Sequence, residues 1–370
     1  MISFPTDILL YVFWSVSAVQ LLYFWGLFSR FAFKKVPQRK WTDLPVSVVI
    51  VAKNEYHNLL EKLPAILEQE YPEFEVVVVN DGSDDDTELL LKELQSKYSH
   101  LNPVHLQPNV NFFYGKKFPL SIGIKSAKYD YLLFTDGDCK PNSKYWINDM
   151  VSRFDENKDI VLGYGAYFTR KGILNRIIRY ETVNTAIQYF SYALAGIPYM
   201  GVGRNLAYKK KLFFDNQGFI SHLSVGSGDD DLFIGRVANR RNTAVQFHPD
   251  SFTLSEPPQN FKRWWQQKRR HLSTSGYYKP LHRLLLGLYP LTTVLFYALA
   301  GVALWLGVNP LLVLVPFVVR MISLYVVYGL SIKKLREEKL LLWLPFLEIT
   351  WVIFNGLMVF LGLFRKKKRW

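Results

Sequence analysis

Three strongly apolar runs in the first 140 residues each end in polar or acidic side chains. They are PVSVVIVAKNE (45–55), FEVVVVNDGSDDD (74–86) and YDYLLFTDGDC (129–139). Continuous runs of valine, isoleucine and leucine are typical of strands buried on both faces, as in a parallel sheet covered by helices. Stretches with helical periodicity lie between them at 55–70, 86–97 and 117–127. The alternation predicts a βαβαβ unit, an α/β fold with a mostly parallel sheet.

A second pattern consists of uncharged apolar runs that are long enough to cross a bilayer. Such runs occupy residues 8–28, 284–319, where Asn309-Pro310 divides the run, and 340–364, where Glu348 is the one charge. Arg320 lies inside an apolar segment that continues to Ile332. Runs of this length favour membrane helices over buried core helices. We predict a transmembrane helix in residues 1–30, a soluble domain at 31–283, and about three transmembrane helices with a basic tail at 284–370.

Charges beside the first run indicate its orientation. Asp7 precedes the run, whereas Arg30, Lys34 and Lys35 follow it, and the positive-inside rule then places the soluble domain in the cytoplasm. The run is too long for a signal peptide and lacks the basic leader of one. In a bacterium this multi-pass protein would lie in the inner membrane.

The last segment leaves two topologies open. The stretches 331–339 and 365–370 are both basic, yet one spanning helix between them would put them on opposite sides of the membrane. Either 340–364 re-enters without crossing, or the tail is an exception to the rule.

The net charge of +14 changes the expected partners. Basic side chains cluster beside the apolar runs, which favours anionic membrane lipids. No zinc-finger spacing and no RNA-binding aromatic motif indicates nucleic acid. The single cysteine, Cys139, permits no internal disulfide and agrees with a reducing compartment.

The polar ends of the three strands are expected to meet, because ligands of open α/β sheets bind outside the carboxyl ends of the strands. Neither a Walker-type loop nor a dinucleotide-type glycine loop is found there. Asp136 and Asp138 could instead hold Mg²⁺ or Mn²⁺ against a diphosphate. An Asp-Gly turn would account for the same residues without any ligand.

Seven motifs occur in the order that they have in the membrane-bound family 2 glycosyltransferases, which include cellulose, hyaluronan and chitin synthases and the ceramide glucosyltransferases. The motifs are VSVVIVAKNE, VVVNDGSDDDT, GKKFPLSIGIKSA, LLFTDGDC, GVGRNLAY, GSGDDDLF and WWQQKRRH, between residues 45 and 275. The chain resembles this family. The resemblance implies a GT-A fold, which is a Rossmann-like α/β domain, and the transfer of a sugar from a nucleotide sugar.

The resemblance also implies roles on the donor side. Asp136 and Asp138 match the D-x-D motif that binds the metal ion. Asp81 matches the contact with the nucleotide base and favours uridine, because a carboxylate accepts a hydrogen bond from an imide N–H. Without a ligand, Asp81 would form an Asx turn or a helix cap.

Further donor-side matches are Lys53, Glu55, Lys116, Gln267 and Arg270. Lys53 and Glu55 correspond to the motif that lines the nucleoside, and Lys116 to the lysine near the diphosphate, where Lys117 could substitute. Gln267 and Arg270 match a Q-x-x-R motif, and their spacing puts them on one face of a helix.

The general base is expected in GSGDDDLF. Counting back from Leu232 indicates Asp229 and counting forward from the glycine indicates Asp230, so both are candidates, with Asp230 slightly preferred. Crowding of the three aspartates should raise one pKa toward neutrality, which suits a base. If the aspartates have no catalytic role, they would still interact favourably with the dipole of a helix at 230–241, because they lie in its first turn.

The acceptor side is expected in YMGVGRNLAY, where Gly201, Gly203, Arg204 and Asn205 match the loop under the acceptor. His271 occupies the position where polymer-making relatives carry a tryptophan platform, although Trp264 and Trp265 could compensate. Mixed apolar and basic patterns at 173–196 and 258–272 predict helices lying at the membrane surface.

We therefore expect an inverting, metal-dependent transferase that uses a UDP-sugar and adds one or a few sugars to a lipid or lipid-linked acceptor at the cytoplasmic face. A processive polysaccharide synthase with coupled translocation is the first alternative. A transporter that uses Arg320 and Glu348 in the membrane, or a non-catalytic scaffold, is the other.

Overall fold

The computed structural model describes residues 4–107 and 115–363, in two compact units. The helical unit comprises Met1–Lys34, Gly172–Ser191 and Lys279–Trp370, and the sheet unit comprises Lys35–Lys171 and Tyr192–Tyr278. Residues 172–191, which we expected in the soluble domain, thus belong with the terminal helices. The basic tail at 365–370 lies outside the described residues.

The sheet unit contains ten strands within its described part. They are β1 Val46–Ala52, β2 Phe74–Asp81, β3 Leu101–Leu106, β4 Tyr131–Asp136, β5 Cys139–Pro141, β6 Ile160–Leu162, β7 Gly165–Tyr167, β8 Leu206–Lys209, β9 Thr243–Val245 and β10 Thr253–Ser255. The main sheet has the order β3-β2-β1-β4-β8-β6-β9, and a small sheet has the order β5-β10-β7. Although β8 runs antiparallel to β4 and β6, the main sheet is mostly parallel. The predicted α/β fold is confirmed.

The chain contains fourteen helical segments other than 3-10 turns among the residues that the structure describes, one of them a π-helix. They are α1 Phe4–Leu22, the π-helix Tyr23–Phe28, α2 Ser29–Ala32, α3 Tyr56–Leu67, α4 Thr87–Lys97, α5 Lys117–Ser126, α6 Trp146–Val151, α7 Ile173–Leu194, α8 Lys210–Asp215, α9 Asp231–Val237, α10 Phe261–Leu272, α11 Pro280–Trp305, α12 Pro310–Lys334 and α13 Leu344–Leu363. Each predicted helix of the sheet unit is present, with bounds within a few residues of its sequence pattern.

β1 is an inner strand of the parallel part, and its side chains are therefore buried on both faces. It pairs with β2 on one side and β4 on the other, with Ala52 opposite Asn80 and Val51 opposite Asp136. The register therefore brings the polar residues after β1, β2 and β4 to one edge of the sheet. The N-terminal end of β8 joins this edge, because Leu206 pairs with Phe134 near the end of β4.

β3 was not among the three strands that we predicted. It lies at the edge of the sheet and contains Pro103. Proline donates no hydrogen bond to a ladder and is tolerated at sheet edges. The mostly half-buried sequence LNPVHL therefore lacks the apolar run that identified the central strands.

Among the described residues, the helical unit contains four helices that are long and apolar enough to cross a membrane, as we predicted. They span Thr6–Ala32, Pro280–Trp305, Pro310–Lys334 and Glu338–Met358. The break between the second and third falls at Asn309, whose side chain accepts a hydrogen bond from the backbone N–H of Leu311. Asparagine caps a helix in this way, and proline at its first position supports the start.

α7 differs from the surface-lying helix that we expected at 173–196. Every residue from 178 to 192 is buried or half-buried, whereas a helix at a membrane surface keeps a polar face in water. Within the helical unit, Arg179 pairs with Glu337, and the Tyr328 hydroxyl donates to Asn184 Oδ1 at 2.6 Å. Partners within the helical unit thus bind Arg179 and Asn184, two of the polar side chains of this helix.

The two charges predicted within apolar runs form an ion pair inside the helical unit. Arg320 Nη1 and Nη2 each lie 2.6 Å from an oxygen of Glu348. Gln20 Oε1 accepts from Arg320 Nη2 at 3.1 Å, and Tyr297 OH donates to Glu348 at 2.7 Å. This pairing gives both charges a structural part, and it weakens the case for a transporter built on them.

Candidate active site

The candidate metal ligands follow β4 at the edge of the sheet where β1 and β2 also end. The ligand atoms of Asp136, Asp138 and Cys139 all lie within 4.8 Å of one another. Burial, and then the neighbouring Asp136, raise the pKa of Asp138 above its ordinary value. The Cys139 thiol lies 3.5 Å from Asp138 Oδ1. The pair can hold a divalent ion through its carboxylates, the oxygen ligands that Mg²⁺ prefers.

Positive charge faces the same carboxylates. The Lys116 ammonium bonds directly to Asp136. Burial acts to raise the pKa of Asp136, but Lys116, aided by Arg204 and Arg270, holds it below its ordinary value. Asp229 and Asp230 also act on the charge of Lys116. Lys116 therefore lies between the predicted metal ligands and the predicted bases.

Lys117, the alternative to Lys116, has a different environment. Its side chain is 3% exposed, and Nζ donates to the carbonyl oxygens of His222, Val225 and Ser227 at 2.5–2.7 Å. All three protons of its ammonium group are used in this way. Lys117 therefore fixes the loop before the aspartate cluster, and Lys116 is the lysine that faces the site.

Glu55 forms a third carboxylate near the metal ligands. A Cβ atom built on Gly137 would lie 3.5 Å from Glu55 Cγ, so the Glu55 side chain lies close to the glycine between the two aspartates. Burial raises the pKa of Glu55, Asn58 opposes that shift by donating to its carboxylate at 2.5 Å, and Asp138 and Asp136 add to it. Lys53, by contrast, is exposed.

The loops after β1 and β2 are tied together around Asp81. Asn54 N donates to Ser83 Oγ at 2.9 Å, and Asp84 N donates to Asn54 Oδ1 at 2.8 Å. Asn54 and Gly82 adopt positive φ angles of 56° and 60°, which glycine and asparagine tolerate best. Asp81, the last residue of β2, is half-buried at this edge. The cross-linked loops hold the predicted base contact in a fixed position.

Arg204 lies over an aromatic ring beside the candidate metal ligands. Its guanidinium is 4.2 Å from the centroid of Tyr167, and Nη1 donates to Ala166 O and Ser255 Oγ. The charges of Asp138 and Asp136 support the positive charge of Arg204. This position suits contact with an anionic part of the donor as well as with the acceptor that we expected for it.

Asn205 lies in the core, against the expectation of an acceptor contact. Its side chain is fully buried and donates to Tyr164 O at 2.9 Å and Ser251 O at 2.7 Å, while Oδ1 accepts from Trp146 Nε1 at 3.1 Å. These bonds leave one acceptor position on the amide. Gly201 is also buried. We therefore leave both residues out of the proposed acceptor site.

The three consecutive aspartates have three different environments. Asp230 Oδ2 accepts from Gly203 N, and Oδ1 accepts from Asp231 N, both at 2.7 Å. Burial, and then Asp229 and Asp231, raise the pKa of Asp230 to about 8. Asp231 Oδ2 accepts from the hydroxyls of Thr274 and Tyr278 at 2.5 and 2.7 Å. Asp229 is half-buried and lines a small cavity together with Lys116 and Gly203.

α10 carries the predicted Q-x-x-R pair. Gln267 Nε2 donates to Tyr167 OH at 3.0 Å, so Gln267 and Arg204 share one aromatic partner. Arg270 and His271 are exposed, and Arg270 is close enough to act on Asp136. Trp264 is buried and Trp265 half-buried. The predicted pair thus lies beside the carboxylates.

Several residues at the site carried no sequence signal. Tyr167 and Ser255 lie on the short strands β7 and β10, where no motif identifies them, yet they hold Arg204 and Gln267. A second group of possible ligands, Asp149, His248 and Asp250, is occupied differently. Arg39 pairs with both of its carboxylates, so an arginine supplies the positive charge there.

Comparison with known proteins identifies the class. Residues 47–214 match the family described as Glycosyl transferase family 2, and residues 145–364 match the one described as Glycosyl transferase family group 2. The second match covers more than half of the chain. The chain belongs to the family 2 glycosyltransferases, as its motifs predicted.

Curated relatives are similar over the central part. The probable glycosyltransferase YdaM of Bacillus subtilis is 28% identical over 249 residues, which are 62% of this chain and 56% of that protein. A poly-beta-1,6-N-acetyl-D-glucosamine synthase of Staphylococcus epidermidis is 24% identical over 231 residues, 61% of this chain and 53% of that protein. The chain thus spans little more than half the length of these relatives.

A solved structure supports the fold. The mannosyltransferase PcManGT from Pyrobaculum calidifontis, in complex with GDP-Man and Mn²⁺, superposes with a TM-score of 0.59 at 18% identity, covering 95% of this chain and 99% of that chain. At this identity the likeness establishes the fold alone, which is the predicted GT-A type.

Proposed function

We propose that this chain transfers a sugar from a nucleotide sugar to a lipid or lipid-linked acceptor at the cytoplasmic face of a membrane. A UDP-sugar is the favoured donor. The observation that carries the proposal is the convergence of Asp81, Asp136, Lys116 and Asp229 at one edge of the sheet. The similar poly-beta-1,6-N-acetyl-D-glucosamine synthase and the similar mannosyltransferase PcManGT, which is bound to GDP-Man, support a nucleotide-sugar donor.

Asp136 and Asp138 would hold the metal ion, Mg²⁺ or Mn²⁺. Their carboxylate oxygens suit a hard divalent cation, and Glu55 is a further acidic residue whose side chain lies close to Gly137. A bound ion would supply Lewis-acid stabilisation of negative charge on the diphosphate. The complex of PcManGT contains Mn²⁺, which favours the same requirement here.

The remaining donor contacts follow from charge and position. Asp81 would accept a hydrogen bond from the imide N–H of the base. Lys116 and Arg270 would bind the diphosphate, and Arg270 could do so with its planar set of N–H donors. Arg204 is held over Tyr167 beside the same carboxylates, and we propose that it contacts the donor phosphates or the acceptor.

We propose Asp229 as the general base. Both oxygens of Asp230 already accept backbone hydrogen bonds, and Asp231 is held by two hydroxyls. A base needs a carboxylate oxygen within reach of the proton that it removes. Asp229 and Asp230 both line the cavity beside Lys116, so the choice of Asp229 rests on the hydrogen bonds that Asp230 already accepts. This choice reverses the slight preference for Asp230, whose raised pKa had favoured it.

The reaction would proceed by direct displacement. The acceptor oxygen forms a bond to the anomeric carbon while the bond from that carbon to the diphosphate oxygen breaks. The acceptor proton goes to Asp229, and the electrons of the broken bond leave with the nucleoside diphosphate. Attack opposite the leaving group inverts the anomeric configuration.

The test uses the purified chain in lipid nanodiscs with a panel of UDP- and GDP-sugars and lipid acceptors. We expect release of nucleoside diphosphate that requires Mg²⁺ or Mn²⁺. Asp229→Asn should reduce kcat by a factor of about 10² or more, within the range that general bases supply. Asp84→Asn is the matched control, because Asp84 is an exposed aspartate on the neighbouring loop. Turnover by Asp229→Asn at the wild-type rate would exclude Asp229 as the base.

A processive synthase is the second candidate, and the named synthase relatives favour it. His271 favours short products, since an imidazole stacks more weakly than the tryptophan platform of polymer-making enzymes. The length of the labelled product decides between them. Discrete products of one or a few sugars on excess lipid acceptor support single transfer, whereas a long polymer made from donor alone supports the synthase.

A further inference from the structure

α9 carries the aspartate cluster at its start and is too short to be stable alone. It has seven residues, Asp231–Val237, whereas isolated helices below about 12–15 residues are marginal in water. Its position must therefore be set by contacts with other parts of the fold. Three such contacts surround Asp229, Asp230 and Asp231.

The first contact is with the loop 199–203. A side chain at Gly235 would put its Cβ 2.6 Å from the carbonyl oxygen of Tyr199, so α9 lies directly on the backbone of this loop. At the other end of the loop, Gly203 N donates to Asp230 Oδ2 at 2.7 Å. This loop therefore fixes the distance of α9 from the sheet.

The second contact is with residues 273–278, which follow α10 and are called the connector here. Thr274 is 1% exposed, and its hydroxyl donates to Asp231 Oδ2 at 2.5 Å. The Tyr278 hydroxyl donates to the same oxygen at 2.7 Å. Hydrogen bonds to an ionised acceptor are the stronger kind, and two of them converge on one carboxylate oxygen.

The third contact closes the arrangement. The ring of Tyr278 packs edge-on against the ring of Tyr199, with centroids 5.8 Å apart. The connector, loop 199–203 and α9 therefore hold one another, with Asp231 at their meeting point. Asp231 passes this constraint on, because its backbone N–H donates to Asp230 Oδ1 at 2.7 Å.

We propose that Thr274 and Tyr278 are positioning residues for the catalytic base. By holding Asp231 they fix the first turn of α9, and so the distance from Asp229 to the acceptor hydroxyl. They also link the base to α10, which carries Gln267 and Arg270 on the donor side. The proposal rests on the function proposed above, because it takes Asp229 as the base.

The decisive variants remove one hydroxyl each. Tyr278→Phe and Thr274→Val keep the size of the side chain and remove one donor to Asp231. A displacement of about 1 Å at a reacting group can reduce the rate by a factor of about 10². We expect each variant to lower kcat about 10-fold to 100-fold, while the KM for the donor stays within about two-fold of wild type.

Two controls separate positioning from general destabilisation. Thr274→Ser keeps the hydroxyl and should restore most of the activity lost in Thr274→Val. Tyr277→Phe changes the neighbouring exposed tyrosine, 61% exposed, and should behave as wild type. Hydrogen–deuterium exchange of residues 229–237 supplies a readout that needs no turnover, and Tyr278→Phe should increase exchange there at an unchanged melting temperature.

The outcomes are distinguishable from failure of the proposed function. If the wild-type chain releases no nucleoside diphosphate from any donor, the proposed function fails, while the exchange measurement still tests the contact with the connector. Wild-type turnover together with unchanged kcat and unchanged exchange in Tyr278→Phe and Thr274→Val would overturn the positioning role. A loss confined to donor KM would also overturn it.

Discussion

Removing one partner of the Arg320–Glu348 pair should destabilise the helical unit far more than removing both. Arg320 is 0% exposed and Glu348 is 2% exposed. Arg320 donates from Nη1 and Nη2 to the two oxygens of Glu348, each at 2.6 Å. Arg320→Met leaves a carboxylate, and Glu348→Leu leaves a guanidinium, in a site closed to water. The double variant leaves no charge at all.

The magnitude follows from the geometry. Breaking a buried ion pair by removing one partner costs about 3–5 kcal/mol, whereas replacing both partners by apolar side chains is often neutral or stabilising. Each single variant should therefore lower the apparent melting temperature by at most about 6–20 °C, because about 2–4 °C per kcal/mol is an upper guide for a chain of this size. In the double variant Gln20 loses Arg320 and Tyr297 loses Glu348, so this variant should retain a small cost.

The assay heats purified protein in detergent and measures the monodisperse fraction by size-exclusion chromatography. Lys92→Met is the matched control, because it breaks an exposed pair with Glu88 at a spacing of four residues, and such pairs contribute about 0.3–0.5 kcal/mol. Single variants of Arg320 and Glu348 that melt with this control would refute the reasoning. So would a double variant whose loss equals the sum of the two single losses, since that result means no coupling between the partners.

The remaining predictions concern the sheet unit. Asp230 has a folded-state pKa of about 8 against an ordinary value of 3.8, so the fold opposes its ionisation, and its contribution to stability is present below about pH 4 and lost as the pH rises through about 8. Asp230→Asn should therefore flatten the fall in melting temperature between about pH 4 and pH 8. Any constant cost of the amide leaves this slope unchanged, and parallel curves for the two proteins would contradict the prediction. Lys116→Met should raise the donor KM and lower kcat at a near-normal melting temperature. Lys117→Met should instead lower the melting temperature, because it leaves three carbonyl oxygens in the fold without their donor. Equal melting temperatures of the two variants would contradict this distinction. Asp138→Asn should fold normally and lose transfer activity. Titration with the free ion should show that it binds Mn²⁺ more weakly. Near-normal activity of this variant would exclude Asp138 as a metal ligand.

The central strands could be predicted because they are buried on both faces. A strand in that position needs apolar side chains at every residue, and parallel pairing then brings the polar ends of such strands to one edge without further information. Asp81, Asp136 and the residues after β1 meet at that edge for this reason. The prediction failed at β3, an edge strand with a proline, because an edge strand needs no continuous apolar run.

Side chains within one motif could not be separated from sequence. Lys116 and Lys117 are adjacent and identical, yet one faces Asp136 and the other binds three carbonyl oxygens. Arg204 and Asn205 are adjacent too, and one lies beside the carboxylates while the other fills the core. The direction of each side chain depends on contacts with residues distant in sequence, such as Tyr167 and Ser251, and no local pattern encodes those contacts.

The separate roles of the three aspartates also could not be predicted from the sequence. Asp229, Asp230 and Asp231 differ by one position each, so composition gives all three the same acidity and the same helix-dipole benefit. In the fold, Asp231 accepts two hydroxyl hydrogen bonds and Asp230 accepts two backbone ones. Each of these donors takes up one of the acceptor positions that a base would use. Under the function proposed above, Asp229 takes the proton while Asp230 and Asp231 hold Asp229 in place, and Asp229 has the fewest hydrogen-bond partners of the three within the described part of the fold.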